Sequence, residues 1–440
     1  MTQEINLREL SHGESLFYKA ALSNSALSAI AGNIPLNVLQ DCFNLLMQKH
    51  VFLQCVVSED DNKYYFTQRA VMQQLIDHVE LSNQSEISSY DQAHNFFQQT
   101  LNSAINAQKT LIEVTCLRPS ASGETYLVWR LSHVISDGIC LIDLHREFLS
   151  LCDQMLMKGA LSNTNSEINK TIPNCIESRL SSRPDDKKVE DITEGYLNVI
   201  KQAPHQVLCP EKAVSSDLHF TSDQHFTTDQ HIEVITHRLS ESQTEAVLAW
   251  CKQRRLSFND VFTAALFLKA KELTRQSSFL LRTAVNLRAK VEPNIDKNQL
   301  LTAASSIITS TSIQPGDDLE VLSRKVRVSV NEALTDAPYI ENLVANKAIL
   351  KELATTLAFH MSNVGRLAIS NDFEAFSLEN FVMAPGTSCG KTLPVNVNTF
   401  NKRISISTHA LLEIYPHEFV EQLILGAIDL MLNSSLKVAA

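Results

Sequence analysis

The stretch Leu131–Gly138, LSHVISDG, is the part of the sequence from which the fold can be inferred. The residues before it, Thr125–Leu131, are rich in β-branched and aromatic side chains and predict a strand. The residues after it, Ile139–Met157, carry apolar side chains at helical spacing and predict a helix. His133 therefore stands at the predicted end of a strand, where a cleft can form at the sheet edge. Its imidazole could take up a proton near neutral pH, or it could simply hold a hydrogen bond as a structural residue.

The pattern His133-x-x-x-Asp137-Gly138 resembles the active-site motif of the chloramphenicol-acetyltransferase-like superfamily. That superfamily includes peptide-synthetase condensation domains, alcohol acetyltransferases, polyketide-associated acyltransferases and the plant BAHD acyltransferases. Val285–Arg288, with a Glu-Pro pair after it, resembles the NLR…P segment of these enzymes, and Ser362–Arg366 resembles their SNxGR segment. The order and spacing of the three segments fit over nearly the whole chain of 440 residues.

Two features distinguish this chain from some branches of the superfamily. Many members carry two adjacent histidines in the motif, and Ser132 stands in place of the first one here. The Asp-Phe-Gly-Trp-Gly motif of the plant enzymes is absent from the sequence. The resemblance is therefore to the condensation-domain, alcohol acetyltransferase and polyketide-associated branches.

The resemblance implies an α+β fold of two chloramphenicol-acetyltransferase-like halves, each a mostly antiparallel sheet with helices, and an active-site tunnel at their interface. We expect residues 1–175 to form the first half, which carries the His133 motif, residues 176–215 to form a linker, and residues 216–440 to form the second half. Between Lys158 and about Ser216 the composition shifts to Ser, Asn, Lys and Asp, which favours a boundary there. A short helix, Ile192–Gln202, is expected within this segment.

The resemblance also implies the reaction, in which an acyl group passes from a thioester to an alcohol or amine. His133 is expected to remove the acceptor proton during attack on the thioester carbonyl, without a covalent enzyme intermediate. From the residues alone, Asp137 could be a carboxylate that orients this base. The resemblance instead implies that Asp137 turns away and pairs with an arginine of the other half, for which Arg288 is the candidate. Asp137, Gly138 and Arg288 are thus expected to support the site.

Five further residues are expected to line the substrate channel: Asn286, Ser362, Asn363, Gly365 and Ser388. Ser388 also lies in a G-x-S-x-G pattern, which is found at the nucleophile of many hydrolases. That arrangement needs a following helix, whereas β-rich residues follow here, so a hydrolase is disfavoured. We expect residues 384–391 to form a flexible loop that borders the active site.

The expected co-substrate is a thioester of coenzyme A or of phosphopantetheine, with no permanently bound cofactor and no metal. The expected partners are an acyl-CoA or an acyl carrier protein, together with a small alcohol or amine. Three histidines recur at a spacing of six, His219, His225 and His231, but on an extended strand such positions lie about 20 Å apart, too far for one metal ion. They are interpreted as a polar duplication in a variable loop.

Composition restricts the class of protein further. The net charge is −11, so an overall basic surface for nucleic acid is missing, although Lys252–Arg255 is a local basic patch. No apolar run approaches the roughly 20 residues needed to span a bilayer. The nine cysteines are scattered, with no Cys-x-x-Cys pair, which is typical of reduced thiols. These features predict a cytoplasmic protein.

Two alternatives to the acyltransferase remain open besides the hydrolase. A free-standing condensation enzyme, joining two carrier-bound substrates in an amide or ester, would have the same fold and would need a carrier-docking surface for each substrate. A non-catalytic member would only bind a thioester or a partner, and the intact His133 and Asp137 argue against it.

Hydrophobic periodicity and turn residues predict further elements along the chain. Expected helices are Pro35–Lys49, one opened by the capping box Ser240–Gln243, one starting at Ser257, Leu319–Leu334 and His417–Leu432. Expected strands are Val51–Val57, Lys63–Thr67, Leu111–Leu117, Ile232–Leu239, Phe279–Val285, Val395–Thr399 and Arg403–Ser407.

Overall fold

The computed structural model describes residues 5–69, 74–82, 86–119, 123–159, 172–179, 190–191, 193–195, 197–198, 208, 232–291, 295, 299–335, 357–386 and 392–436. Backbone contacts divide the chain into two compact units. The first comprises Met1–Ser181, Leu287–Ala303 and Leu367–Ser388, and the second comprises Ser182–Asn286, Ala304–Arg366 and Cys389–Ala440. The boundaries expected at residues 175 and 216 stay a prediction, since much of that stretch falls outside the described residues.

Strands and helices are numbered in chain order. The strands are β1 (Ile5–Glu9), β2 (Ser23–Ala31), β3 (Cys55–Asp60), β4 (Lys63–Gln68), β5 (Asp77–Leu81), β6 (Ile112–Pro119), β7 (Glu124–Ser132), β8 (Ile232–Arg238), β9 (Ser278–Asn286), β10 (Ala304–Ser312), β11 (Phe359–Arg366), β12 (Ser377–Gly386), β13 (Leu393–Phe400) and β14 (Arg403–Leu411). The helices are α1 (His12–Lys19), α2 (Leu36–Lys49), α3 (Ser89–Leu101), α4 (Gly138–Lys158), α5 (Glu241–Gln253), α6 (Phe258–Thr274), α7 (Leu319–Thr335) and α8 (His417–Leu436).

The first unit contains a five-stranded sheet in the order β12-β2-β7-β6-β5 and a three-stranded sheet in the order β1-β4-β3. All neighbours are antiparallel except β5 and β6. The central strand β7 is buried from Thr125 to Ser132, so its side chains form core on both faces. Trp129 on this strand packs against Phe43 of α2 and Phe148 of α4, with ring centroids 6.1 and 5.0 Å away. This packing fixes the strand whose end carries His133.

The second unit contains a six-stranded sheet in the order β10-β9-β11-β13-β14-β8. The strand β11 runs parallel to β9 and β13, and the remaining neighbours are antiparallel. Its core includes Phe267 of α6 against Phe279 and Phe359, at ring-centroid distances of 5.2 and 5.8 Å. The three sheets of the described residues are mostly antiparallel and are accompanied by helices, which confirms the predicted α+β class.

Local sequence signals account for several element boundaries. Ser240 and Ser257 open α5 and α6, and both form complete capping boxes, with Gln243 and Asp260 as the reciprocal partners. The antiparallel hairpin β13–β14 turns at Asn401 and Lys402, both with positive φ as two-residue hairpin turns require. The predicted helices and hairpins at these places are confirmed.

Two predicted elements are wrong. Val51–Gln54 forms a 3₁₀ turn rather than the start of a strand, because three consecutive apolar side chains are buried there: Val51, Phe52 and Leu53. The strand begins only at Cys55. Residues 384–386 belong to β12 rather than to a loop, since this strand pairs with β2 as far as Gly386. The predicted helix Ile192–Gln202, the linker, the three histidines and residues 387–391 lie wholly or largely outside the described residues.

Candidate functional site

His133 lies immediately after β7, as the sequence predicts. Its backbone N–H donates to the carbonyl of Leu22, 2.8 Å away, at the start of the neighbouring strand β2. Residues 133–137 form a tight connection, and α4 begins at Gly138. The histidine is therefore positioned by the central strand of the sheet on one side and by a long helix on the other.

The imidazole of His133 is half-buried and stacks on the ring of Phe17. The ring centroids are 4.2 Å apart and the two planes differ by 1°. Flat stacking covers one face of the imidazole and restricts its rotation. The sequence analysis missed Phe17 because no motif surrounds it. The capping box Ser11–Glu14 is the one local signal for the helix on which Phe17 lies.

The short helix α1 that carries Phe17 is held by charged groups at its first turn. Glu14 completes the capping box with Ser11 and accepts two hydrogen bonds from Arg8, each 2.7 Å long. Glu177 accepts from the Ser11 hydroxyl and from the Gly13 N–H, at 2.8 and 2.9 Å. Carboxylates at a helix N-terminus also complement the helix dipole, so α1 presents Phe17 from a fixed position.

Asp137 and Arg288 form the ion pair that the resemblance implied. Arg288 Nη1 donates to Oδ2 at 2.7 Å and Nη2 donates to Oδ1 at 2.9 Å, which makes the pair bidentate. Both residues belong to the first unit, so the expectation of a pair between the two halves is wrong in that respect. The reason is that Leu287–Ala303, which follows β9, packs with the first unit.

The Asp137 carboxylate also accepts three backbone hydrogen bonds. Its Oδ1 caps α4 through the N–H groups of Ile139 and Cys140, at 3.1 and 3.0 Å, and its Oδ2 accepts from Ala303 N–H at 2.9 Å. With Arg288 these contacts occupy both oxygens. The arrangement supports a role in holding the loop and helix rather than the alternative of orienting the base.

Burial and pairing act in opposite directions on these two groups. Asp137 and Arg288 are 3% and 7% exposed. Burial by itself raises the pKa of Asp137, but the Arg288 charge and the hydrogen bonds outweigh it and hold the pKa below its usual value. Burial likewise lowers the pKa of Arg288, but Asp137 outweighs it and the pKa is raised. Both shifts favour the charged forms, so the pair is charged near neutral pH.

Cys140, one turn into α4, belongs to the same cluster. Its sulfur accepts from Arg288 Nη2 at 3.0 Å and lies 3.2 Å from the carbonyl of Leu301. Burial, with the Asp137 charge added, raises the pKa of this thiol to about 11. Cys140 is thus a neutral thiol that fills the space beside the guanidinium.

The loop that contains His133 is further fixed by two polar side chains that the sequence did not reveal. The hydroxyl of Thr302 lies 2.5 Å from the carbonyl of His133 and 3.1 Å from that of Ser136. Asn24 Nδ2 donates to the Ser136 carbonyl at 2.9 Å. Thr302 directly follows Leu301, whose carbonyl accepts from Arg288 Nη2 at 3.0 Å, so the segment Leu287–Ala303 supports both ends of the motif.

The other predicted site residues that the structure describes lie in the second unit. Asn286 ends β9 and is exposed, and Ser362, Asn363 and Gly365 lie in β11. The ladder between these strands covers only Phe359–Met361, while β11 continues beside β13. Asn286 and Ser362 thus follow the point where the ladder between β9 and β11 ends.

A bulge in β11 explains the glycine of this segment. Asn363 Oδ1 accepts from the Gly365 N–H at 2.7 Å, while its Nδ2 donates to Asn259 Oδ1 at 2.6 Å. Gly365 has a φ of +72°, which favours glycine, where the register with β13 shifts. The SNxGR segment therefore forms a kinked strand end rather than a surface turn. Its contribution to a substrate channel stays a prediction, and Ser388 lies outside the described residues.

Two negative findings apply to the described part of the chain. It contains no group of three or more His, Cys, Asp and Glu residues that could hold a metal ion. None of its helices combines the length and the apolar character that crossing a membrane requires.

Comparisons with known proteins agree with this geometry. A family model described as Condensation domain matches residues 8–298, and one described as Phthiocerol/phthiodiolone dimycocerosyl transferase C-terminus matches residues 228–409. A search of curated protein sequences finds no match.

Solved structures resemble the chain over nearly its full length at low identity. Polyketide synthase associated protein 5 from Mycobacterium tuberculosis is 15% identical, with 98% of this chain and 99% of that chain covered and a TM-score of 0.71. TRI3 trichothecene 15-O-acetyltransferase from Fusarium sporotrichioides is 13% identical, with 98% and 95% covered and a TM-score of 0.73. The first condensation domain of the CDA synthetase is 10% identical, with 98% and 97% covered and a TM-score of 0.72. These likenesses establish the fold, and since the condensation model covers more than half of the sequence, the chain belongs to the condensation-domain family.

Proposed function

We propose that this protein is an acyltransferase that moves an acyl group from a thioester of coenzyme A or of an acyl carrier protein to an alcohol or amine, with His133 as the general base. Membership of the condensation-domain family supports acyl transfer as the general chemistry. The observation that carries the finer proposal is the half-buried imidazole of His133, held at a strand end against Phe17.

The chemistry requires a base near the acceptor and a way to limit water. Imidazole can remove a proton from an alcohol or amine near neutral pH, and the proton then passes to the departing thiolate. Val134 and Ile135, which follow the histidine, are buried and would help exclude bulk water from a reactive thioester. Both substrates must reach one imidazole, so their approach from opposite sides is part of the proposal.

The rigid surroundings of His133 support the same role. A general base works best when it is held within hydrogen-bond reach of the proton it removes. The Asp137–Arg288 pair, Thr302 and Asn24 hold the backbone of the loop, while Phe17 covers one ring face.

Replacement of His133 tests the proposal. We expect His133→Ala to fold and to lower kcat by about 10²–10⁴-fold, the usual contribution of general-base assistance. The wild type is first incubated with a panel of acyl-CoAs and acyl carrier proteins and with alcohols and amines, and the products are identified by mass spectrometry. His78→Ala, at an exposed histidine of the same unit, is the control. Turnover near the wild-type rate in His133→Ala at saturating acceptor would refute the assignment of the base.

A further inference from the structure

The six-stranded sheet of the second unit carries polar side chains on the face turned away from α6. Phe279 of β9 and Phe359 of β11 pack on Phe267 of α6, so the odd-numbered residues of these strands face the helix. The even-numbered residues lie on the opposite face, which we call the polar face. The strand register places there two residues each of β9, β11 and β13: Arg282, Asn286, His360, Ser362, Asn396 and Asn398. Two of these, Asn286 and Ser362, are residues that the sequence analysis expects in the substrate channel.

Arg282 is a half-buried cation of the polar face. Its Nε donates to Ser306 Oγ of β10 at 2.9 Å. Within the residues that the structure describes, Arg282 forms no ion pair, and its two Nη groups have no hydrogen-bond partner. Burial lowers the pKa of Arg282, and no described carboxylate opposes this shift. Arg282 is therefore a cation inside the fold whose counter-charge is not among the described residues.

Two more deeply buried arginines show what Arg282 lacks. Arg130 and Arg288 are 6% and 7% exposed. Arg130 pairs with Glu113 at 2.6 Å, and Arg288 pairs with Asp137 at 2.7 Å. A charge that is removed from water is usually compensated by an opposite charge and by hydrogen bonds. We therefore expect the anion that pairs with Arg282 to belong to a bound molecule.

Other atoms of the polar face also have unmet hydrogen-bonding capacity. Asn396 Nδ2 and Asn398 Oδ1 are buried and have no hydrogen-bond partner in the described part of the chain. The same holds for Oγ1 of Thr236, which the register of β13, β14 and β8 places on this face. Buried polar groups without a partner are uncommon in folded proteins and need an explanation. A polar molecule bound along this face would supply the partners.

The chain connects Arg282 with the loop of His133 by a short path. The strand β10, which carries Ser306, starts directly after the segment Leu287–Ala303 that holds this loop. Ser306 follows Thr302 by four residues, and the Thr302 hydroxyl lies 2.5 Å from the His133 carbonyl. Four residues of chain span at most about 14 Å. This length is comparable to that of a small substrate.

We infer that Arg282 binds a carboxylate of a substrate, so that one of the two reactants is a carboxylic acid. This inference rests on the proposed function and adds the substrate class to it. The Nη groups of one guanidinium can hold one carboxylate through two parallel hydrogen bonds. The carboxylate belongs either to the acceptor, which is then a hydroxy acid or an amino acid, or to the far end of the acyl group.

Thermal unfolding without any ligand tests the state of Arg282. Arg282→Met removes the uncompensated charge and keeps a long side chain, so we expect Tm to rise by about 2–4 °C. Arg403→Met, at an exposed arginine of β14, is the control and should leave Tm unchanged. A lower Tm in Arg282→Met would show that the protein itself provides the counter-charge, and it would overturn the inference.

Thermal unfolding with carboxylate probes tests binding independently of turnover. The probes are 2-hydroxy acids, amino acids and glutaryl-N-acetylcysteamine, each beside its methyl ester. At least one acid should raise the Tm of the wild type while its methyl ester does not, and Arg282→Met should respond to neither. Arg282→Lys keeps the charge but loses the fork of two donors, so its shift should be smaller than that of the wild type.

Turnover assays identify the reactant that carries the carboxylate. The donors are N-acetylcysteamine thioesters, which have no phosphate, so that a phosphate of coenzyme A cannot account for the result. One arm compares hydroxy acids and amino acids with their methyl esters as acceptors, and the other compares glutaryl with pentanoyl donors on a neutral alcohol. In one arm the wild type should prefer the acid about 10- to 100-fold in kcat/KM, the effect of charge-assisted hydrogen bonds. Arg282→Met should lose this preference, and Arg403→Met should keep it.

The two proposals fail in different ways. If no thioester is turned over, the proposed function fails, while the Tm measurements still decide on the carboxylate site. The carboxylate site is refuted if no acid raises the Tm of the wild type, if the methyl esters raise it equally, or if Arg282→Met retains the preference for the acid.

Discussion

At the scale of single residues, the carboxylate of Asp137 does most to define the site. It caps α4, anchors the backbone at Ala303 and pairs with Arg288, all without solvent contact of consequence. A buried ion pair is rarely the most stabilising choice for a core, because both charges lose their hydration. This pair instead fixes the geometry of the loop between β7 and α4, which begins at His133 and ends at Asp137.

Removal of one partner of this pair should destabilise the protein strongly. Asp137→Ala leaves the guanidinium of Arg288 buried without its counter-charge, and we expect the free energy of unfolding to fall by about 3–5 kcal/mol. Arg288→Met should do the same for the carboxylate. The double variant should lose less than the sum of the two, because neither charge is then stranded.

Urea unfolding followed by circular dichroism measures these differences. Glu9→Ala, which breaks the exposed Glu9–Lys63 pair at 3.0 Å, is the control and should change little. Equal losses for Asp137→Ala and for the control, or strictly additive losses in the double variant, would show that the buried pair is not coupled.

The sequence predicted the residues whose chemistry is local and missed those that come from elsewhere in the chain. His133, Asp137, Gly138 and Arg288 could be named because each lies in a short motif. Phe17 and Thr302 reach the same place through tertiary contacts, 116 and 169 positions away from His133 along the chain, and no local pattern encodes such distances. The Asp137–Arg288 pair itself was predicted correctly, but not the unit to which Arg288 belongs.

At the scale of elements, helices and hairpins were predictable because caps and turns are encoded in a few neighbouring residues. Six strands were not predicted: β1, β2, β5, β10, β11 and β12. The sequence of β2, SNSALSAIA, has few β-branched or aromatic residues, and β12 contains Pro385. Both become strands because they pair with each other, over a sequence separation of about 350 residues, and β2 also pairs with β7. Non-local pairing of this kind overrides local propensity.

The short helix α1 belongs to the same scale, because its function is to place one ring. Phe17 stacks flat on His133, and aromatic pairs of this kind contribute about 0.5–1.5 kcal/mol. Phe17→Leu keeps an apolar side chain but loses the stacking face. If the stack positions the imidazole, kcat should fall about 2- to 10-fold while KM changes little.

The pH profile distinguishes positioning from a general loss of structure. Loss of the stack changes the surroundings of His133, so the acid limb of kcat against pH should shift in Phe17→Leu. Tyr18→Leu, the next residue of α1, whose ring packs on Tyr64 instead, is the control and should keep both kcat and the profile. An unchanged profile and kcat in Phe17→Leu would mean that the ring only fills space.

At the scale of the whole molecule, each unit buries a histidine away from the candidate site. His145 of α4 lies fully buried between Trp129 and Phe381, with ring centroids 5.3 and 5.1 Å away, and neither of its ring nitrogens has a hydrogen-bond partner in the described structure. Burial lowers the pKa of His145 to about 3. His409 of β14 is also buried, and burial lowers its pKa to about 4. Both are neutral core residues rather than candidate bases.

These two histidines should make the whole protein sensitive to mild acid. A histidine whose pKa is lowered by folding takes up a proton more readily in the unfolded chain, so stability is lost as pH falls from the unfolded pKa of about 6.5 towards the folded one. Each histidine then costs about 2 kcal/mol between pH 7 and pH 5, because one pKa unit corresponds to about 1.4 kcal/mol. Asp137 contributes in the same direction only below about pH 4, where its carboxylate begins to be protonated in the unfolded chain.

The variant His145→Leu isolates this effect. It removes an imidazole without polar partners from an apolar site, so it should raise stability at pH 5 by more than at pH 8, with a difference of about 2 kcal/mol. Urea unfolding at both pH values measures it, with Trp129 fluorescence as a probe in the first unit and Trp250 in the second. His78→Leu, at an exposed histidine, should leave the pH dependence as it is in the wild type. If His145→Leu and the wild type lose the same stability between pH 8 and pH 5, the imidazole of His145 is not the group that makes the fold sensitive to acid.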